Sequence, residues 1–350
     1  MKTALTNILV DPIDLRPLRL KAFEFTPEEV IAGTLETGNG AVYAVRNGIP
    51  RLVVTEDVGQ LQTSSIFAFK WRKRETFDSE ASRARAARWC VEKYGFQTLE
   101  DWAGYFAGRQ KIADIGCGCG FSSSLWLLTP QWDGRAMWVG VDISEAIDVA
   151  RERLGDLPNT HFVQGDALSL PFPDGSFDTI FSEGVLHHTP STRTALLSCA
   201  RLLAPGGEFH FYVYRRKSPI REFTDDYVRQ EIAGLSDEDA WEAMRPLTEL
   251  GRALAEADTV VELRRDIAVL GIPAGRYDIQ RLFYWHFAKA FWDPDLSLEE
   301  NVHINFDWYR PHFCHRHHAG DIREWCAEAG MDIRWFHEQE SGYSVRAVKR

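Results

Sequence analysis

A glycine-rich turn between a predicted strand and a predicted helix constrains the fold of this chain more than any other feature. The run IADIGCGCG extends from Ile112 to Gly120, and an amphipathic helical pattern begins at Phe121. Glycines at 116, 118 and 120 let backbone N–H groups approach a ligand closely where a helix starts. We therefore expect a ligand site at this turn.

A second β-rich run, WVGVDIS, ends at Asp142. An acidic residue at the end of the second parallel strand is placed to accept hydrogen bonds from ribose hydroxyls. Two departures disfavour a dinucleotide as the ligand. The third glycine, Gly120, comes one residue earlier than in the G-x-G-x-x-G pattern, and Asp114 precedes the loop on the strand itself.

Further motifs follow in order: GDA, FDTIFSEGVLHH and LLAPGG. Together with DIGCGCG they make the chain resemble the class I S-adenosylmethionine-dependent methyltransferases from Lys111 to Tyr214, and more loosely from Ala319 to Arg350. The resemblance implies an α/β fold with a Rossmann-like, doubly wound sheet of seven strands, the last one antiparallel. Alternation of strand and helix patterns up to Tyr214 independently predicts a parallel βαβ sheet.

The resemblance also implies which residues contact S-adenosylmethionine. The glycine loop and Asp114 would surround the methionine part, Asp142 the ribose, and Ile143 and the residues after the third strand the adenine. Ser182 would lie near the end of the fourth strand, beneath the sulfonium group of the cofactor. The expected cofactor contacts are Asp114, Gly116, Cys117, Gly118, Gly120, Asp142, Ile143, Asp166, Ala167 and Ser182.

Candidate acceptor-site residues come from the V-L-H-H motif, the end of the fifth strand and a histidine-rich segment from Ile304 to His318. Histidines have a pKa suited to a base near neutral pH, and tyrosines hydrogen-bond a nucleophile. The candidates are His187, His188, His315, His317, Tyr214 and Tyr284. Arg215, Arg216 and Lys217 are candidate anchors for a carboxylate or phosphate. No metal site is expected, because alternate side chains of an extended segment face opposite ways.

Residues 1–60 predict a small β-rich unit. The patterns I-L-V-x-P and Y-x-x-R-N-G-I-P-x-L are similar to a zinc-ribbon-like domain found beside some methyltransferases. Asp11, Asp14, Glu36 and Asn39 stand where that domain has its zinc-binding cysteines, so no tetrahedral zinc site is expected.

The remaining parts follow from pattern and position. Residues 61–110 resemble the aromatic and helical lid of this methyltransferase branch, and residues 111–214 form the cofactor-binding core. Residues 215–318 predict a helical insert that caps the substrate pocket, with helices over 219–235, 237–257 and 277–291. Residues 319–350 predict the closing helix and the last two strands of the core.

Composition limits the partners. A net charge of -11 and a pI near 5.5 disfavour nucleic acid as the substrate. No apolar stretch approaches the roughly 20 residues that span a bilayer, and no convincing signal peptide is visible. The six cysteines show no C-x-x-C pair, which fits a reducing compartment. We expect a cytoplasmic protein, and the oligomeric state is not predicted.

The leading hypothesis is a methyltransferase acting on a small-molecule acceptor. The alternatives are methylation of a tRNA or a protein, a non-catalytic cofactor-binding or activator module, and non-methyl chemistry on the same cofactor. The sequence does not identify the acceptor or the atom that is methylated.

Overall fold

A small antiparallel sheet begins the chain in a computed structural model that describes residues 1–350. Its strands pair in the order β1-β2-β3-β4. This sheet confirms the predicted β-rich unit, whereas its relation to zinc ribbons stays a prediction. The elements are α1 Thr3–Thr6, β1 Arg19–Phe25, β2 Val30–Glu36, β3 Val42–Arg46 and β4 Ile49–Pro50.

The N-terminal unit is attached to the rest of the molecule by packing and by ion pairs. Leu35 and Val45 are buried in the same apolar cluster as the central sheet. Arg51 donates to both carboxylate oxygens of Asp148 at 2.6 and 2.8 Å, and Arg151 donates to Glu29 at 2.7 Å. The unit therefore folds as part of the main core.

Three helices connect this unit to the core. Each begins at a side chain that accepts a backbone N–H bond: Asp57, Ser79 and Thr98. The helices are α2 Val58–Arg72, α3 Glu80–Lys93 and α4 Leu99–Ala107.

The core alternates strands and helices as the sequence predicts, except that no helix separates its third strand from its fourth. Every residue of the second core strand is buried, and the other inner strands are nearly so, which is typical of a parallel sheet covered on both faces. The elements are β5 Lys111–Ile115, α5 Phe121–Leu127, β6 Met137–Asp142, α6 Ala146–Leu154, β7 Thr160–Gln164, β8 Phe177–Glu183, α7 Thr192–Arg201 and β9 Leu203–Tyr214.

The insert after β9 is mainly helical, as predicted, but it also contains an antiparallel strand pair that helical periodicity did not predict. The predicted helix over 277–291 is shorter and begins after that pair. The elements are α8 Pro219–Ile232, α9 Asp237–Glu256, β10 Val260–Leu263, β11 Gly275–Asp278, α10 Ile279–His286 and α11 Leu298–Tyr309.

One expectation for the insert is wrong. Residues 304–309 are not extended, because they form the last part of α11. This helix starts at a capping box in which Ser297 and Glu300 each accept the other's backbone N–H bond. Of the histidine-rich segment, the part that carries His312 to His318 is irregular.

The chain closes with α12 Ala319–Glu328, β12 Met331–Glu338 and β13 Gly342–Lys349. The central sheet has the strand order β12-β13-β9-β8-β5-β6-β7. β13 is antiparallel to both of its neighbours, and the strands from β9 to β7 are parallel. This confirms the predicted seven-stranded Rossmann-like sheet. No helix is both long enough and apolar enough to cross a bilayer.

Candidate active site

A cavity of about 520 Å³ lies where the parallel strands end. Each of the five parallel strands β7, β6, β5, β8 and β9 contributes a lining residue at or just after its last position. These are Gly165, Asp142, Gly116, Glu183 and Tyr214. The opposite walls come from α2, α10 and α11. This is where an open parallel sheet binds its ligand.

The glycine loop shapes one wall of the cavity. Gly116 lines it with a φ of +76°, and a Cβ there would lie 2.2 Å from Val185 Cγ1. Gly118 has a φ of +55°, and a Cβ there would lie 2.6 Å from the indole nitrogen of Trp71. Larger residues at either position would be strained and would clash. Cys117 and Gly120 support the loop but do not line the cavity.

Asp142 is buried at the end of β6 and lines the cavity. One carboxylate oxygen accepts the N–H of Gly118 at 2.8 Å, and the other accepts the N–H and hydroxyl of Ser144. These bonds orient the carboxylate in the position expected for a ribose acceptor. Ile143 and Ala167 line the cavity beside it.

Asp114, Asp166 and Ser182 lie behind the lining residues. Asp114 is buried and accepts from Ser123 Oγ at 2.5 Å, and burial raises its pKa to about 7. Asp166 accepts from the side chain of Gln60 on α2 at 2.8 Å. Ser182 donates to the Ile115 carbonyl and so links β8 to β5. Of the predicted cofactor residues, the structure therefore brings Gly116, Asp142, Ile143 and Ala167 to the cavity.

His188 is the predicted acceptor-site histidine that lines the cavity. Its Nδ1 lies 2.7 Å from the Phe313 carbonyl oxygen. A carbonyl only accepts, so Nδ1 carries the ring proton and Nε2 keeps its lone pair. Nε2 is buried and has no hydrogen-bond partner. Burial lowers the pKa of His188 to about 4, so the ring is neutral near pH 7.

Tyr214 and Tyr284 also line the cavity. The Tyr214 hydroxyl lies 3.5 Å from Asp307, whose carboxylate forms an ion pair with Lys70. Burial opposes ionisation of Asp307, but the charge of Lys70 and its hydrogen bond hold the pKa of Asp307 well below the usual range. The pKa of Tyr214 is raised by burial and by Asp307, so this phenol stays protonated and can donate a hydrogen bond.

The structure does not bring His187, His315 and His317 to the cavity. His187 is fully buried under the Tyr214 ring, with 3.7 Å between ring centroids. The segment of His315 and His317 runs along the end of β9, where its backbone N–H groups bond the carbonyls of His187 and Tyr214.

The side chain of His317 points to Thr192, with 2.9 Å between Nε2 and Oγ1. These histidines therefore support the wall formed by Tyr214 and His188 from behind. No group of three or more His, Cys, Asp or Glu side chains is arranged to hold a metal ion.

Sequence motifs did not identify Lys70, Asp307 and Lys289, which all line the cavity. They come from α2, α11 and the segment between α10 and α11, and only tertiary packing places them together. The basic run at residues 70–74 was a visible signal for Lys70, but nothing local indicated its partner Asp307.

Comparison with known proteins agrees with this geometry. Residues 113–211 match a family model described as a methyltransferase domain. The core of this chain is therefore similar to a methyltransferase domain. Such a domain implies S-adenosylmethionine as the cofactor, and Gly116 and Asp142 line the cavity where the parallel strands end.

Several curated methyltransferases are similar to part of this chain. A phthiotriol/phenolphthiotriol dimycocerosates methyltransferase of Mycobacterium tuberculosis is 32% identical over 130 residues, which cover 37% of this chain and 47% of that protein. A fatty-acid O-methyltransferase of Mycolicibacterium smegmatis is 34% identical over 33% of this chain and 40% of that protein.

A demethylmenaquinone methyltransferase of Symbiobacterium thermophilum is 30% identical over 39% of this chain and 53% of that protein. The chain spans about half the length of the curated relatives it matches. The family match itself covers residues 113–211, so residues 1–60 and 215–318 lie outside it.

Proposed function

We propose that the chain is an S-adenosylmethionine-dependent methyltransferase that acts on a small-molecule acceptor. One observation carries the proposal: a single cavity is lined both by expected cofactor residues and by His188, whose Nε2 has no hydrogen-bond partner in the protein. Gly116 and Asp142 lie on the sheet side, and His188 and Tyr214 lie beside them.

The size of the cavity supports a small acceptor. Its volume of about 520 Å³ lies in the range of small-molecule pockets. We propose that residues 61–110 act as the lid of the methyltransferase domain and residues 215–318 as the cap that binds the acceptor. The names of the curated relatives refer to lipid, fatty-acid and quinone substrates, which supports the same class.

The proposed cofactor contacts follow the strand ends. Asp142 would hold the ribose, Ile143 and Ala167 the adenine, and Gly116 the methionine part. The Asp114 carboxylate, which lies behind the glycine loop, would stabilise the ammonium group of the cofactor. The other predicted residues, Cys117, Gly118, Gly120, Asp166 and Ser182, would position these groups without lining the cavity themselves.

The proposed chemistry uses His188 as a base where the acceptor loses a proton. The bound cofactor supplies an activated methyl group on sulfur. A lone pair of the acceptor forms the bond to the methyl carbon, and the carbon–sulfur electron pair stays on sulfur. His188 Nε2 takes the acceptor's proton, and the Tyr214 hydroxyl orients the acceptor.

The variant Asp142→Asn tests the proposal. Its affinity for S-adenosylhomocysteine is measured by calorimetric titration. Loss of the charged ribose acceptor should weaken binding by about 1–3 kcal/mol. Asp174→Asn changes an exposed carboxylate away from the cavity and serves as the control.

Thermal unfolding of both variants shows whether the fold is intact. Equal affinities of the folded Asp142→Asn variant and the unsubstituted protein would contradict the placement of the cofactor.

A further inference from the structure

Positive charge is concentrated around one aromatic ring in the cavity, that of Trp308 on α11. Lys289 Nζ lies 4.9 Å from the ring centroid, Arg221 Cζ 5.4 Å and Lys217 Nζ 5.7 Å. All four side chains line the cavity. They reach it from α8, α11 and the segments before α8 and after α10, so no sequence motif contains them.

Arg221 is already neutralised. Its Nε donates to both oxygens of Asp225 at 2.8 and 2.9 Å, and both side chains are buried. Asp225 also accepts from the indole N–H of Trp308 at 2.9 Å. The ion pair of Lys70 with Asp307 is a second neutral unit at the edge of this region.

Lys217 and Lys289 have no such partner. Neither ammonium group forms an ion pair with a carboxylate. Lys289 is buried and donates to the Ile304 carbonyl at 2.8 Å, and Lys217 donates to the carbonyls of Glu340 and Ser341. Carbonyl acceptors satisfy hydrogen bonds but carry no charge, so the region keeps two lysine amino groups without a compensating carboxylate.

Protonating an amino group that has lost its hydration is costly, and a ligand anion would remove that cost. Burial lowers the pKa of Lys289 to about 7 and the pKa of Lys217 well below its ordinary value. Of the sequence-predicted anchors Arg215, Arg216 and Lys217, Lys217 alone lines the cavity. Arg215 instead pairs with Glu338 at 3.3 Å.

We propose that Lys217 and Lys289 bind an anionic group of the methyl acceptor, a carboxylate or a phosphate monoester. The inference rests on the proposed function and adds the chemical class of the substrate. The Tyr214 ring lies between the two ends of the site, 4.5 Å from Trp308 and 5.5 Å from His188 between centroids. The anion is therefore held about one aromatic ring away from the base, with the acceptor's apolar body against the Tyr214 ring.

The test is calorimetric titration of protein saturated with S-adenosylhomocysteine. The probes are phenylacetate, phenyl phosphate, the neutral phenylacetamide and the cationic phenethylamine. Because a charge-assisted bond forms only with the anions, the better anion should bind at least about tenfold more tightly than phenylacetamide. The tighter of the two anions identifies the charged group.

Two variants and a control connect the preference to these lysines. Lys217→Met and Lys289→Met keep the apolar stem and remove the charge, and each should abolish the preference for the anion. Lys21→Met on the exposed strand β1 should keep it. Saturation with S-adenosylhomocysteine shows that the cofactor site is intact, so a failure here does not reflect failure of the proposed function.

Equal or weaker binding of both anions relative to phenylacetamide in the saturated protein would overturn the inference. So would absence of binding by every probe, or an undiminished anion preference in the folded lysine variants.

Discussion

At the residue scale, the hydrogen bond from His188 to the Phe313 carbonyl determines which ring nitrogen is free. Nδ1 is engaged, and the lone pair of Nε2 has no partner within the protein. A base whose tautomer is fixed before the acceptor binds needs no rearrangement during proton transfer. His187, its neighbour in the same motif, is stacked under Tyr214 and has no access to the cavity.

The substitution His188→Asn distinguishes the role of Nδ1 from the role of Nε2. The asparagine amide can keep the bond to Phe313 in place of Nδ1, but nothing replaces Nε2. Loss of the base should lower kcat about a hundredfold to ten-thousandfold, and affinity for S-adenosylhomocysteine should not change. His312→Asn, at an exposed histidine of the following segment, is the matched control.

The pKa of about 4 gives this prediction a pH signature. A lowered pKa means that His188 is unprotonated, and so able to accept a proton, at every pH above about 4. Protonation of His188 should therefore decrease kcat/KM only at pH values well below neutral. A kcat that the His188→Asn variant retains would show that proton transfer takes another route.

At the element scale, α2 connects the two ends of the cavity. Gln60 near its start bonds Asp166 at the adenine end, and Lys70 near its end pairs with Asp307 at the acceptor end. Trp71 lies against Gly118 of the cofactor loop. One helix thus contacts every part of the proposed site.

We expect cofactor binding to stabilise α2. Backbone amides of α2 should exchange with deuterium more slowly in the presence of S-adenosylhomocysteine, because opening the helix would also break its contacts with the bound cofactor. Trp71→Ala should reduce this protection and weaken cofactor binding. Leu61→Ala, on the exposed face of the same helix, should do neither. Unchanged exchange of α2 in the saturated protein would contradict a lid role.

The same elements show what the sequence could predict. The cofactor loop and Asp142 were predictable because strand, turn and helix are contiguous and each has a local signature. The helix α11 was missed although Ser297 and Glu300 form a capping-box pattern that was visible in the sequence. The positions of His315 and His317 depend on how an irregular segment lies along β9, and no local pattern records that packing.

At the scale of the whole molecule, net charge and local charge differ in sign. The chain carries a net charge of -11, yet the proposed acceptor end of the cavity contains two lysine side chains without carboxylate partners. Composition disfavours a polyanion on the surface, but it does not describe a buried site of a few side chains. The N-terminal sheet and the insert, both outside the matched domain, complete the core and the cavity respectively.

Methyl transfer itself tests the central claim most directly. The protein is incubated with methyl-labelled S-adenosylmethionine and, separately, with the small-metabolite, tRNA and protein fractions of its source cells. We predict label in the small-metabolite fraction, strongly reduced by His188→Asn and unchanged by His312→Asn. Label confined to tRNA or protein, or no transfer by protein that binds S-adenosylhomocysteine, would contradict the account.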